Sequence, residues 1–207
     1  MDTNINQTIE NNIKNRIYGH DRGWCFTPKH FMGLGSETGI RKALSRLEAQ
    51  GFIRRIRQGL YDYPHIHEKL GVIPPSVDAI AKALAERDKI KIQSTGAYAA
   101  NILGLSDQVP ARVVFVTDGP PKKIKLGNLV IVFRKTTAKN MANAGTLLGL
   151  IIQAVKYIGK DYLTDKMALQ LKTHLKNIDQ KTLEKGIRYA PVWIGKYLTK
   201  LHGSLNG

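Results

Sequence analysis

Ile5, Ile9, Ile13 and Ile17 recur at every fourth position and predict an amphipathic first helix ending at Tyr18-Gly19, where glycine is free to take a left-handed cap. Trp24-Cys25-Phe26 is a short apolar run that reads as a strand. Thr27-Pro28 pairs a capping residue with proline at the first helical position, so a short second helix is expected through Phe31 and Met32, stopping at Gly33. Ser36 caps a third helix whose apolar positions Ile40, Ala43, Leu44 and Leu47 share one face, with Gly51 beyond its end. The stretch FIRRIRQGLYDY then reads as two strands folded about Arg57-Gln58-Gly59, a tight hairpin in which glycine supplies positive φ.

Pro64, Gly71, Pro74, Pro75 and Ser76 punctuate the next segment, which contains no periodic apolar run, and a linker is expected near residues 64–76. The second half opens with a helix over 76–87, then IKIQ, then a small-residue helix around Gly96–Ala100. Three apolar strands follow, VVFVT (113–117), KKIKL (122–126) and LVIVF (129–133), joined by Asp-Gly-Pro-Pro and Gly-Asn turns, which predicts an antiparallel meander. From about residue 140 the pattern is helical, with an apolar helix over 145–157, more polar ones over 162–175 and 180–186, and a last one over 191–201. The fold class is therefore α+β. A winged helix-turn-helix over residues 1–66 precedes a mixed α/β domain over 76–207 that has a small antiparallel sheet and C-terminal helices.

Charge changes the picture more than composition does. Among 207 residues, 32 Lys+Arg stand against 16 Asp+Glu, a net charge of +16 that attracts polyanions. The excess is +4, +6 and +6 over residues 1–70, 71–140 and 141–207, so no single basic tail carries it, and any nucleic-acid site has to be read from local pattern. Hydrophobic residues at 43% are ordinary globular usage. A single cysteine makes no internal disulfide, the first residues lack the charged and apolar segments of a signal peptide, and no apolar stretch reaches membrane-spanning length. These features together predict a cytoplasmic protein without a membrane partner.

The third helix carries the most chemistry. With Ile40, Leu44 and Leu47 turned inward, the helical period places Thr38, Arg41, Lys42, Ser45 and Arg46 on the solvent side. Arginine binds guanine through two hydrogen bonds, serine and threonine reach several base edges, and lysine reaches guanine or phosphate. By itself such a face reads first as a solvated one. Arg54, Arg55, Arg57 and Gln58 at the adjoining hairpin favour double-stranded DNA, because a wing there reaches phosphates or the minor groove. Strand alternation alone does not tell which of the three arginines points outward.

Several stretches carry a family resemblance: Gly23-Trp24-Cys25-Phe26-Thr27-Pro28, ALSRLEAQGFIRR (43–55), Gly59-Leu60-Tyr61-Asp62-Tyr63-Pro64, STGAYAAN (94–101), Leu103-Gly104-Leu105 and VTDGP (116–120). In this order and spacing, over about residues 10–200, they resemble the AbiEi-type antitoxins of type IV, abortive-infection toxin–antitoxin systems. The resemblance implies a winged-helix repressor of its own operon at inverted repeats, joined to a domain that counteracts a nucleotidyltransferase-like toxin. The basic run Lys122, Lys123 and Lys125 is a candidate surface for such an acidic-site partner.

Enzymatic chemistry finds little footing. His65 and His67 have no evident third ligand, Cys25 reads as a small buried hydrophobe, and the paired glycines lack the phase of a phosphate loop. Asp118 is the one carboxylate worth weighing as an acid, and a turn role explains it. No catalytic residue, metal or cofactor is expected. Two other readings stay open: a stand-alone winged-helix regulator whose second domain binds a ligand or dimerises, and a DNA-processing enzyme with a winged-helix targeting module.

Overall fold

A computed structural model of the chain describes the backbone of residues 2–205 and the side chains of residues 8–205. The side chain of Ile5, expected on the apolar stripe of the first helix, lies outside the described residues. The protein divides into two compact units, Met1–Lys89 and Ile90–Gly207.

In the first unit, α1 (Asp2–Tyr18) turns Ile9, Ile13 and Ile17 into a core shared with α2 (Glu37–Ala49). The α1 helix stops at Tyr18 as its pattern predicts, although Gly19 is not among the left-handed glycines. The two helices approach closely because α2 carries Gly39 on its buried face, where a Cβ would lie 3.0 Å from the Ile9 side chain. Between them run β1 (Cys25–Phe26) and a 3-10 turn over Pro28–Phe31. The expected second α-helix is thus a single 3-10 turn, since four residues between Thr27 and Met32 leave no room for a further turn. The backbone N–H of Thr27 donates to His30 Nδ1 at 3.1 Å, which closes that turn. Strands β2 (Arg54–Arg57) and β3 (Leu60–Asp62) form the expected hairpin about Gly59, with φ of +69°, and β1 pairs with β3 to give the antiparallel order β1-β3-β2.

The segment 64–76, expected as a linker, is a second hairpin of β4 (His65–His67) and β5 (Gly71–Ile73). Its prolines flank the strands instead of interrupting them, and runs of three residues are too short to register as a periodic pattern. Helix α3 (Val77–Asp88), expected to open the second domain, packs on β1, so the division between units falls after Lys89 and not between 66 and 76.

The second unit is a four-stranded sheet with helices. Its strands are β6 (Ile92–Ser94), β7 (Arg112–Thr117), β8 (Lys122–Leu126) and β9 (Leu129–Lys135), in the order β6-β7-β9-β8. The expected meander is corrected by one pairing: β9 lies between β7 and β8, parallel to β7 and antiparallel to β8. β9 opens with five apolar residues in succession and takes the central place. β8, with three lysines in five residues, takes an edge, where lysine blocks pairing with other sheets. Helix α4 (Gly96–Ile102) follows β6, and the remaining helices are α5 (Ala138–Met141), α6 (Leu147–Ile158), α7 (Asp165–Leu175), α8 (Gln180–Ile187) and α9 (Val192–Gly203). As its composition predicts, α6 is the central helix, burying Leu148, Ile151, Ile152 and Val155 in the core. Among the described residues, no helix is long and apolar enough to cross a membrane.

Gly149 of α6 lies under the loop that caps that helix. A Cβ there would collide with the backbone oxygen of Asn143 and stand 2.8 Å from Gln93 Oε1. The same Asn143 oxygen accepts the Thr146 hydroxyl at 2.8 Å, and Gly145 N–H donates to Gln93 Oε1 at 3.0 Å. Alanine gains up to about 1 kcal/mol of helix propensity, but overpacking against backbone costs about 1–3 kcal/mol. Gly149→Ala should therefore lower the melting temperature; an unchanged or higher value in a thermal melt would show that the loop yields.

Candidate nucleic-acid interface

Ser36 opens α2 by accepting the Gly39 N–H at 3.1 Å, which fixes the start of the helix and hence its phase. That phase buries Gly39, Ile40, Ala43, Leu44 and Leu47 and leaves Thr38, Arg41, Lys42, Ser45 and Arg46 exposed on one face. Arg41 is held by Glu37 one turn earlier at 2.5 Å, with both side chains largely in solvent. A pair of this kind stabilises by only about 0.2–0.5 kcal/mol, so it yields readily to a stronger acceptor. Thr38, Lys42, Ser45 and Arg46 make no side-chain hydrogen bond or ion pair among the described residues.

The hairpin separates its three arginines. Arg54 pairs across the ladder with Asp62, and its Nε and one terminal nitrogen donate to the two carboxylate oxygens at 3.0 and 2.6 Å. This two-pronged bond holds the Arg54 guanidinium above its ordinary pKa range, so the side chain is committed to a buried acid. Arg55 and Arg57 are exposed. Half-buried and exposed positions alternate along β2, and the bond from Arg54 to buried Asp62 decides which set faces out, while the ladder register shifts between Arg55 and Arg57. Arg55 also reaches Glu48 of α2 at 2.6 Å and lies 5.4 Å from the centre of the Tyr61 ring, so the outer hairpin is tied to the end of α2. Arg57 and Gln58 stand in solvent at the hairpin tip.

Sequence reasoning passed over Asp62, which is fully buried and holds Arg54. It reads as one more polar residue of a β-rich run, and only the cross-strand register exposes its role. Cys25, opposite Asp62 on β1, is buried as expected. Burial, followed by the nearby Asp62 carboxylate, pushes its thiol up to about 12 from an ordinary 9.0.

In the second unit the expected lysine trio divides. Lys123 and Lys125 oppose Val132 and Val130, whereas Lys122 opposes Phe133 and so belongs to the other face of the sheet. Through the β7–β9 register, Lys123 and Lys125 share their face with Arg112, Val114 and Arg134. Arg112 and Arg134 were missed because they lie far apart in sequence. The result is a face of half-buried Val114, Val130 and Val132 rimmed by four exposed cations. Asp118 accepts the Lys91 N–H at 2.8 Å and so ties its turn to the residue before β6, while Thr117 accepts the Gly119 N–H within the turn itself. Among the described residues, no group of three or more His, Cys, Asp or Glu side chains is placed to hold a metal ion.

Among solved structures, the chain is similar to the RV2827C protein from Mycobacterium tuberculosis, at 16% identity and a TM-score of 0.43, over 87% of this chain and 72% of that one. No curated protein matches the sequence. One family model runs from within α1 through α2, both hairpins, the four-stranded sheet and the helices to the first half of α8, matching residues 12–183: the chain belongs to DUF6088, a family of unknown function.

Proposed function

We propose that this chain is an antitoxin of the type IV, abortive-infection class, which binds operator DNA to repress its own operon and counteracts a nucleotidyltransferase-like toxin. In this reading the first unit is a winged helix-turn-helix, α2 its reading helix and the β2–β3 hairpin its wing. The observation that carries it is the exposed set of Thr38, Arg41, Lys42, Ser45 and Arg46 on α2 together with exposed Arg55, Arg57 and Gln58 on a hairpin that the Arg55–Glu48 pair ties to that helix. A solvated face needs no such juxtaposition, whereas a major-groove helix flanked by a phosphate-gripping wing requires it. The antitoxin assignment is drawn from the motif order along both halves. The basic-rimmed valine face of the second unit supports a protein partner, since interfaces combine an apolar centre with a polar rim.

A mobility-shift titration on duplex from upstream of the chain's own reading frame tests the DNA half. Arg41→Ala should weaken binding by about 1–3 kcal/mol and relax preference at one base position. Arg55→Gln with Arg57→Gln should lower affinity alike for specific and random duplexes, with the salt slope shallower by about 0.9 for each phosphate no longer neutralised. Stability should move by no more than about 0.5 kcal/mol for Arg41→Ala and fall by about 1 kcal/mol for the hairpin pair, because Arg55 gives up Glu48 and the Tyr61 ring. Unaltered affinity in both would remove α2 and its hairpin from the DNA.

A further inference from the structure

The β4–β5 hairpin leaves the core of the first unit as a sheet of two strands, and among the described residues neither outer edge pairs with another strand. Ile66 and Val72 are cross-strand partners on one face, 62% and 48% exposed, and Leu70 beside the turn is 75% exposed. A lone two-stranded hairpin is marginal in water, and exposed apolar residues gathered on one mark a surface that is covered in use. Yet this hairpin is anchored. Arg22 donates to the Pro64 carbonyl at 2.9 Å, Arg54 donates to the Ile73 carbonyl at 3.3 Å, and His67 Nδ1 accepts the Lys69 and Leu70 N–H groups at 3.2 and 3.4 Å.

Charge identifies what covers it. Between Tyr63 and Ser76 the chain carries one acid, Glu68, and one base, Lys69, in a protein of net charge +16. On this face a nucleic acid would meet three aliphatic side chains, with one Lys and no Arg in the whole hairpin, while the exposed rings of His65 and His67 belong to the opposite face. Two copies of this chain repel over most of their surfaces, but not at a neutral apolar strip, where Glu68 of one copy also finds Lys69 of another. We propose that the β4–β5 hairpin is a self-association arm, on which the Ile66, Leu70 and Val72 face of one copy packs against the same face of a second copy. So small an element buries less than a standard interface of about 1,200–2,000 Å², so the dimer is weak and reversible. The proposal does not rest on the DNA-binding reading.

Sedimentation equilibrium of the full chain, without DNA, should give a mass rising from one chain toward two as concentration increases into the sub-millimolar range. Ile66→Lys with Val72→Lys should weaken association by about tenfold or more, while Leu169→Lys, at an equally exposed site on α7, should leave it unchanged. Cross-linking offers a readout that survives any local misfolding of the lysine variant. Cys25 is buried, so Leu70→Cys introduces the one accessible thiol and should give a covalent dimer with a short bismaleimide, where Leu169→Cys does not. A single-chain mass at every concentration overturns the proposal, as does association that survives the lysine pair. Equal cross-linking at both cysteine sites overturns it too. Lowered affinity of the lysine variant for a single half-site duplex, with its mass behaviour unchanged, would assign the hairpin to DNA instead.

Discussion

Asp62→Ala should destabilise the first unit by about 3 kcal/mol, the largest loss expected from any single side chain near the proposed interface. The Asp62 side chain has no exposed surface, and Arg54, 35% exposed, binds both of its oxygens. Breaking a buried pair by deleting one partner costs about 3–5 kcal/mol, and the partial exposure of Arg54 sets the lower end because the orphaned guanidinium regains some water. Folding free energies of single domains are about 5–15 kcal/mol, so the loss is a large part of the total. Asp62→Leu with Arg54→Met should recover much of it, since neither charge is then left unpaired. The lone cysteine supplies the readout. Cys25 is buried and held protonated, so it resists thiol reagents in the folded chain and should react in Asp62→Ala. Native-like protection of Cys25 in that variant would remove Asp62 from the forces holding the sheet. The same thiol sets a pH dependence. Below its ordinary 9.0 it is protonated in both states; between 9.0 and about 12 the unfolded chain ionises while the folded chain does not, so stability falls as pH rises through that window.

Separating the units should separate the proposed activities outright. A fragment Met1–Lys89 retains the α1–α2 core and α3 on β1, and a fragment Ile90–Gly207 retains the four-stranded sheet and the cluster around α6. Co-expressed with a cognate nucleotidyltransferase-like toxin, the second fragment should restore growth, and the first should bind operator duplex and restore nothing. The cut belongs after Lys89 because ending at Pro64 strips α3, and with it Ile80, Ala81 and Leu84, from the unit it packs with. Rescue by Met1–Lys89 alone would overturn this division of labour. Within the second fragment, Lys123→Glu with Arg134→Glu should abolish rescue if the valine face meets an acidic partner, because the four cations become two of each sign.

Periodicity was legible wherever a helix had one apolar face. The stripe Ile9, Ile13, Ile17 and the set Ile40, Ala43, Leu44, Leu47 are buried as their spacing predicts, and the exposed face of α2 follows from the same period. The tight turn at Gln58-Gly59 was equally readable, since positive φ there leaves glycine little competition. Elements of three or four residues were not: Pro28–Phe31 contracted to a 3-10 turn, and β4 and β5 escaped notice, because so few residues hold too little of either pattern to stand out.

What the sequence by itself determined is therefore local: which of the longer helices form, which faces they bury, where the hairpin turns, and that the chain carries a net charge of +16. Tertiary structure alone decided the rest. The sheet order β6-β7-β9-β8 depends on which strand can be buried on both edges, and chain order does not encode that choice. The fates of Arg54, Arg55 and Arg57 were set by Asp62 across the ladder, and the basic face of Arg112, Lys123, Lys125 and Arg134 was assembled by strand pairing. Each is a long-range pairing, in which a side chain's role depends on a partner that its neighbours in sequence do not specify.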